Sequence, residues 1–149
     1  MRRAHTALLL AIVPLAALAA APEPGSSADH ETARFALCAG PHRVTCVVDG
    51  DTFWYRGAKI RIADINAPEV SEPNCAREAE LGGLASGRLV DLLNAGAFTL
   101  SPNGDGTGRN RDRYGRLLRT VIRDGDSVGG ELVREGLAER WKGRRGNWC

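Results

Sequence analysis

The chain has 149 residues, 43% hydrophobic and 26% charged, with 20 Lys+Arg, 18 Asp+Glu and four Cys. That is enough for one domain with a real core, and a balance so close to neutral excludes a partner held by bulk charge alone. The charge is segregated instead: residues 22–106 carry 7 basic and 12 acidic side chains, residues 107–149 carry 11 and 6, which suits a polyanion groove beside a carboxylate or metal site.

In chain order, Arg2 and Arg3 precede an apolar run from Ala7 to about Ala21 that ends in small residues before Pro22. Residues 1–21 are therefore expected to be a signal peptide, because a run of about 15 residues falls short of the ~20 that span a bilayer. Residues 22–34 are polar and predicted to be a disordered leader, and the domain is expected over 35–149. Three strands in meander order are predicted at Arg43–Val48, Thr52–Tyr55 and Lys59–Ile65, separated by the turn signals Asp49-Gly50 and Arg56-Gly57. Leu81, Leu84, Ala85, Leu89 and Leu92 recur at helical spacing and predict a helix over Ala76–Leu93. A strand at Ala97–Leu100, a turn-rich loop SPNGDGTGRNRDR, a strand at Leu117–Arg123 and a helix from Val128 to about Arg140 complete the order β-β-β-α-β-β-α. Short strands in that order predict an α+β, five-stranded OB-type Greek-key barrel with a capping helix.

Four Cys in an exported chain read as two disulfides, of which sequence leaves three connectivities open. Cys38–Cys46 and Cys75–Cys149 is the expected pairing. The first brackets the Gly40-Pro41 turn, and the second ties down a C-terminus with few apolar anchors. Zinc is the weaker reading, since no C-x-x-C pair exists.

The segment VDGDTFWYRGAKIRIADINAPEV places acids and bases among strand-like apolar residues. If Ile60 and Ile62 point inward, strict alternation puts Asp64 and Asn66 inside with them and Arg61 opposite. An unpaired interior carboxylate costs several kcal/mol, so the strand is expected to bulge near residues 63–65 or to open at a barrel end. Asp51 at the start of a strand, facing an Asn oxygen, suits a hard cation. An EF-hand in NGDGTGRNRDRY is excluded because Tyr114 stands where the bidentate Glu belongs, and no G-x-S-x-G or His-paired nucleophile occurs.

DGDTFWYRGAKIRIADINAPE, together with RDRYGRLLRTVIRDGDSVGGELVREGLAERW at 111–141, resembles the staphylococcal nuclease (thermonuclease) family. The resemblance implies an OB-fold that hydrolyses phosphodiesters of DNA or RNA with calcium, leaving 3′-phosphates. It implies Arg61 and Arg116 as phosphate-binding arginines, Glu69 as general base, and Arg113 and Tyr114 on the terminal phosphate. Asp51, residue 66 and the backbone carbonyl of Ala67 are the implied calcium ligands. Residue 66 departs from the family: Asn66 stands where an Asp is usual, so weaker calcium binding is expected, and Asp64 is a further candidate ligand. The expectation is an exported nuclease of low sequence selectivity, secreted or periplasmic and monomeric; the rival is an OB module that holds single strands without cutting them.

Overall fold

A computed structural model describes residues 29–104 and 107–149. The expected signal peptide lies outside them, and among the described residues no helix is long and apolar enough to cross a membrane. Strands β1 (Cys46–Asp49), β2 (Thr52–Tyr55) and β3 (Ala58–Ile62) form the predicted antiparallel meander. The β2–β3 turn is Arg56-Gly57, with φ of 50° and 82°. This is the type I′ geometry whose twist matches a two-residue hairpin. The third strand stops at Ile62, and after a turn at Ala63-Asp64 the chain resumes as the two-residue β4 (Ile65–Asn66). The break expected from the misplaced polar residues is therefore present.

Helix α1 (Ala76–Asn94) matches its prediction and packs on β1. Then β5 (Thr99–Pro102), two residues later than expected, pairs antiparallel with β6 (Leu117–Arg123). Because β6 also runs parallel to β3, the main sheet is mixed, in the order β1-β2-β3-β6-β5, with β7 (Asp126–Ser127) folding back on β6. Among the described residues the ladder ends at β1 and β5 rather than closing. Both ends are touched by residues 31–38, through isolated bridges from Glu31 to Phe98 and from Leu37 to Val47.

Two expectations need correction. The leader is bound to the domain from Asp29 onward: Asp29 accepts hydrogen bonds from Thr99 Oγ1 (2.7 Å) and the Asp124 amide (2.8 Å), and Tyr55 Oη donates to Glu31 at 2.6 Å. Its polar residues are partners for sheet edges, which composition alone does not reveal. The second helix, α2 (Val128–Arg134), is half the predicted length. Gly136 takes φ +74°, and bonds from Gly136 N to Val133 O and from Leu137 N to Leu132 O form a Schellman stop. The chain then makes β8 (Glu139–Arg140), paired with β4.

The core gathers Phe53, Ile60, Ile62, Ile65, Leu89, Leu93, Phe98, Val121 and Leu132, all fully buried, each contributing about 1.5–3 kcal/mol by leaving water. Both expected disulfides, Cys38–Cys46 and Cys75–Cys149, are formed. The second ties the last residue to the N-cap of α1.

Candidate active site

Arg61 is the organising residue. Its Nη1 donates to the carbonyls of Ile62 and of Ile65 (2.9 Å), so the break after β3 is wrapped around the guanidinium. Its Nη2 lies 3.1 Å from Asp51 Oδ2, with both side chains about nine-tenths buried. A buried carboxylate and guanidinium are tolerable only as a hydrogen-bonded pair. Three donors are committed in this way; the other two of a guanidinium's five have no partner among the described residues. Trp141 stacks on the outer side, its ring centroid 5.6 Å from the Arg61 carbon.

Asp51 ties β2 and β3 to the segment that follows β4. Besides Arg61, it accepts from the Ala67 amide on Oδ2 and from Thr52 Oγ1 on Oδ1, both at 2.9 Å. Thr52 Oγ1 in turn lies 3.4 Å from Arg116 Nη1. Arg116 reaches this point from the loop before β6, where Asp112 holds its Nε at 2.6 Å and its backbone N at 3.0 Å. Burial pushes the Asp112 carboxyl up, but the Arg116 bonds together outweigh it, so its pKa ends below the usual range. Tyr114 is largely exposed between two cations, with Arg113 and Arg116 at 4.8 and 5.5 Å from its ring centroid.

Glu69 follows Pro68 on the segment leaving β4. Its amide donates to Glu78 Oε1 at 3.4 Å, and Glu78 Oε2 also takes the amide and side chain of Asn74 at 2.6 and 2.7 Å. The Asn74 amide is the main cause of the lowered Glu78 pKa, so this buried residue stays an acceptor. Gly82 of α1 admits the segment against the helix, since a Cβ there would sit 2.8 Å from the Glu69 carbonyl oxygen. Gly50 does the same for the β1–β2 turn, against Ala85 and Ala67. The helix thus fixes the aspartate turn and Glu69 in one frame.

Asp49 reports the electrostatics. Desolvation first, then the charges of Asp51 and Glu69, push its carboxyl up to about 7. The oxygen donors around it are carboxylates, a side-chain amide and backbone carbonyls, the types a hard cation takes. Among the described residues no three His, Cys, Asp or Glu side chains form a ready-made metal cluster, so any such ion would lean on backbone and water oxygens as well.

The structure brings Asp51, Arg61, Ala67 and Arg116 into one run of contacts, with Glu69 two residues from Ala67. Asn66 is buried beside them and donates Nδ2 to Glu139 Oε1 at 3.2 Å. Asp64 is directed elsewhere, accepting from Ser127 Oγ at 2.6 Å, the hydroxyl that also caps α2. Sequence reasoning missed Thr52, Asp112, Glu78 and Arg145. Thr52 and Asp112 lie inside the motifs already quoted, but their roles depend on side-chain direction. Arg145, whose Nη1 lies 2.9 Å from Glu69 Oε1, is far from it in sequence and gave no signal beyond the basic tail.

The profile of the family described as Staphylococcal nuclease homologue matches residues 59–147. The chain is 40% identical over 95 residues to "Endonuclease YncB" of Bacillus subtilis (strain 168), an alignment covering 61% of this chain and 43% of that protein. It is 41% identical over 95 residues to "SPbeta prophage-derived endonuclease YokF" of the same organism, covering 61% and 31%. The chain therefore spans less than half the length of these relatives.

Proposed function

The chain belongs to the staphylococcal nuclease family, and from that premise we propose that it is an exported nuclease hydrolysing phosphodiesters of DNA or RNA with little sequence selectivity. The observation that carries the proposal is the contact run Arg116–Thr52–Asp51–Arg61, which sets two guanidiniums on either side of one carboxylate. Phosphodiester cleavage gathers charge on the phosphoryl oxygens, and two preorganised guanidinium forks answer it without reorganising. Each keeps donors for a phosphate after its structural bonds are made. Glu69 accepts the proton of the attacking water, held in place by Glu78 and Gly82. Arg113 and Tyr114 take a terminal phosphate at the exposed edge.

Asp51, the Asn66 amide oxygen and the Ala67 carbonyl would hold calcium, with Asp64 a more distant candidate because Ser127 occupies it. When bound, the ion supplies Lewis-acid stabilisation of phosphoryl charge. Under this reading residues 31–38 close an OB-type barrel by bridging β1 to the start of β5, the products carry 3′-phosphates, and the protein acts as a monomer outside the cytoplasm, where its two disulfides persist.

Digestion of single-stranded DNA, duplex DNA and RNA by the oxidised protein, with calcium and with chelator, tests the proposal beside Glu69→Gln and Arg116→Ala. Calcium-dependent cleavage lost in both variants is expected. Tight binding of single strands with no cleavage by the wild type would replace the proposal with a binding module.

A further inference from the structure

The C-terminal tail is covalently brought to the site. Cys149 is bonded to Cys75 at the N-cap of α1, directly after the loop that carries Glu69. Four residues before Cys149, Arg145 pairs with Glu69 at 2.9 Å while its side chain stays 65% exposed. The adjacent Gly146 lies so close to the Glu139 carboxylate that a Cβ would collide with it, and Glu139 holds the Asn66 amide. The tail thus touches Glu69 directly and the Asn66 position through one intermediary.

The charges indicate what this contact does. Glu69 lies beside the turn that carries Asp49 and Asp51: the Asp51 amide donates to Asp49 Oδ1, and the amide of Ala67, two residues before Glu69, donates to Asp51 Oδ2. A phosphodiester approaching three acids meets repulsion that Arg61 and Arg116, each already engaged with a carboxylate, offset only in part. Arg145 spends a single nitrogen on Glu69, and a guanidinium has five donors. Resting on the nuclease reading above, we infer that Arg145 is a third arginine of the site: it holds the Glu69 carboxylate in position, binds a backbone phosphate of the substrate, and does so because the Cys75–Cys149 disulfide anchors the tail.

The test measures binding of a fluorescein-labelled single-stranded oligonucleotide across salt concentrations in chelator, and cleavage in calcium. Arg145→Ala should weaken binding about tenfold at low salt and flatten the slope of log K against log salt by about 0.7, the loss of one phosphate contact. kcat/KM should fall by at least as much. Arg145→Lys should restore the salt slope but only part of kcat, since an ammonium cannot fork between Glu69 and a phosphate. Arg88→Ala removes one positive charge from a residue paired with Glu135 and should leave the slope unchanged. The Cys75→Ser, Cys149→Ser double variant should reproduce the Arg145→Ala loss, and combining the two should cost nothing more. Faster turnover in Arg145→Ala would make the contact autoinhibitory and overturn the inference, as would an unmoved salt slope or fully additive losses. Arg145 is mostly exposed, so its variants fold and decide the matter even if the cysteine variant does not. A wild type that binds with the predicted slopes yet never cleaves would sink the nuclease reading and leave the phosphate contact standing.

Discussion

The two arginines of the site reach it by different physical routes. Arg61 comes from inside the sheet: its side chain is 10% exposed, bonded to two backbone carbonyls and ion-paired with Asp51. Arg116 comes from a loop, 19% exposed, held mainly by Asp112 four residues away. The first is part of the fold it serves, whereas the second is placed by a local turn that the rest of the domain scarcely needs. Stability and catalysis should therefore be inseparable on the strand side of the site and separable on the loop side.

Arg61→Ala is expected to show the largest effect. Removing it strands the Asp51 carboxylate in a buried position and frees the Ile62 and Ile65 carbonyls, at a cost of about 3–5 kcal/mol. Activity should disappear with it. Urea unfolding checks the first outcome and oligonucleotide digestion the second; an inactive variant of wild-type stability would break the comparison. Arg116→Ala should lose about 10²–10³ in kcat/KM but only about 1.5–2 kcal/mol of stability, because Asp112 keeps its bonds to the Tyr114 and Arg116 amides.

The same difference explains what the sequence could disclose. The strand-side residues lie in one continuous stretch from Asp49 to Glu69, so a single motif carried the family resemblance that named Arg61 and Glu69, while the misplaced charge of Asp64 announced a break that the structure places at Ala63-Asp64. The five longer strands and α1 followed from period and turn residues. The stop of α2 did not, because Leu137 continues the helical spacing of Leu132 and Val133 and only the backbone of Gly136 shows that the chain has turned. Residues 29–34 looked solvated because their partners, Thr99, Phe98 and Asp124, lie far along the chain. Arg145 was hidden for the same reason, and only the fold joins it to Glu69.

Glu78→Gln sharpens the comparison on the helix side. Both Glu78 oxygens accept from backbone or amide N–H groups, so an amide in place of one oxygen sets donor against donor, at about 2 kcal/mol near neutral pH. The folded pKa of Glu78 is depressed, so its contribution is complete above the ordinary carboxyl range and fades as pH falls through the lower, folded value. The stability gap between wild type and variant should narrow from pH 6 toward pH 3 in urea titrations; a gap independent of pH would mean that the charge on Glu78 is immaterial. With Glu69 no longer fixed, kcat/KM should drop about tenfold.

The smallest effect tests residue 66, the proposed calcium ligand that carries no charge. Asn66→Asp adds a full negative charge for calcium, and the concentration needed for the half-maximal rate should fall about three- to tenfold. The gain is limited because Asn66 now donates to Glu139 at 3.2 Å. The substitution replaces that bond with two facing carboxylates and should lower the melting temperature in chelator, while calcium raises it more than in the wild type. Glu139→Gln in the same chain restores a donor opposite the new carboxylate, so the double variant should recover the lost stability and show the full gain in calcium response. If neither variant changes the calcium requirement, residue 66 is not a ligand. The Asn66–Glu139 bond is then only a tie between β4 and β8, and the strand side of the site owes its geometry to Arg61 and Asp51 alone.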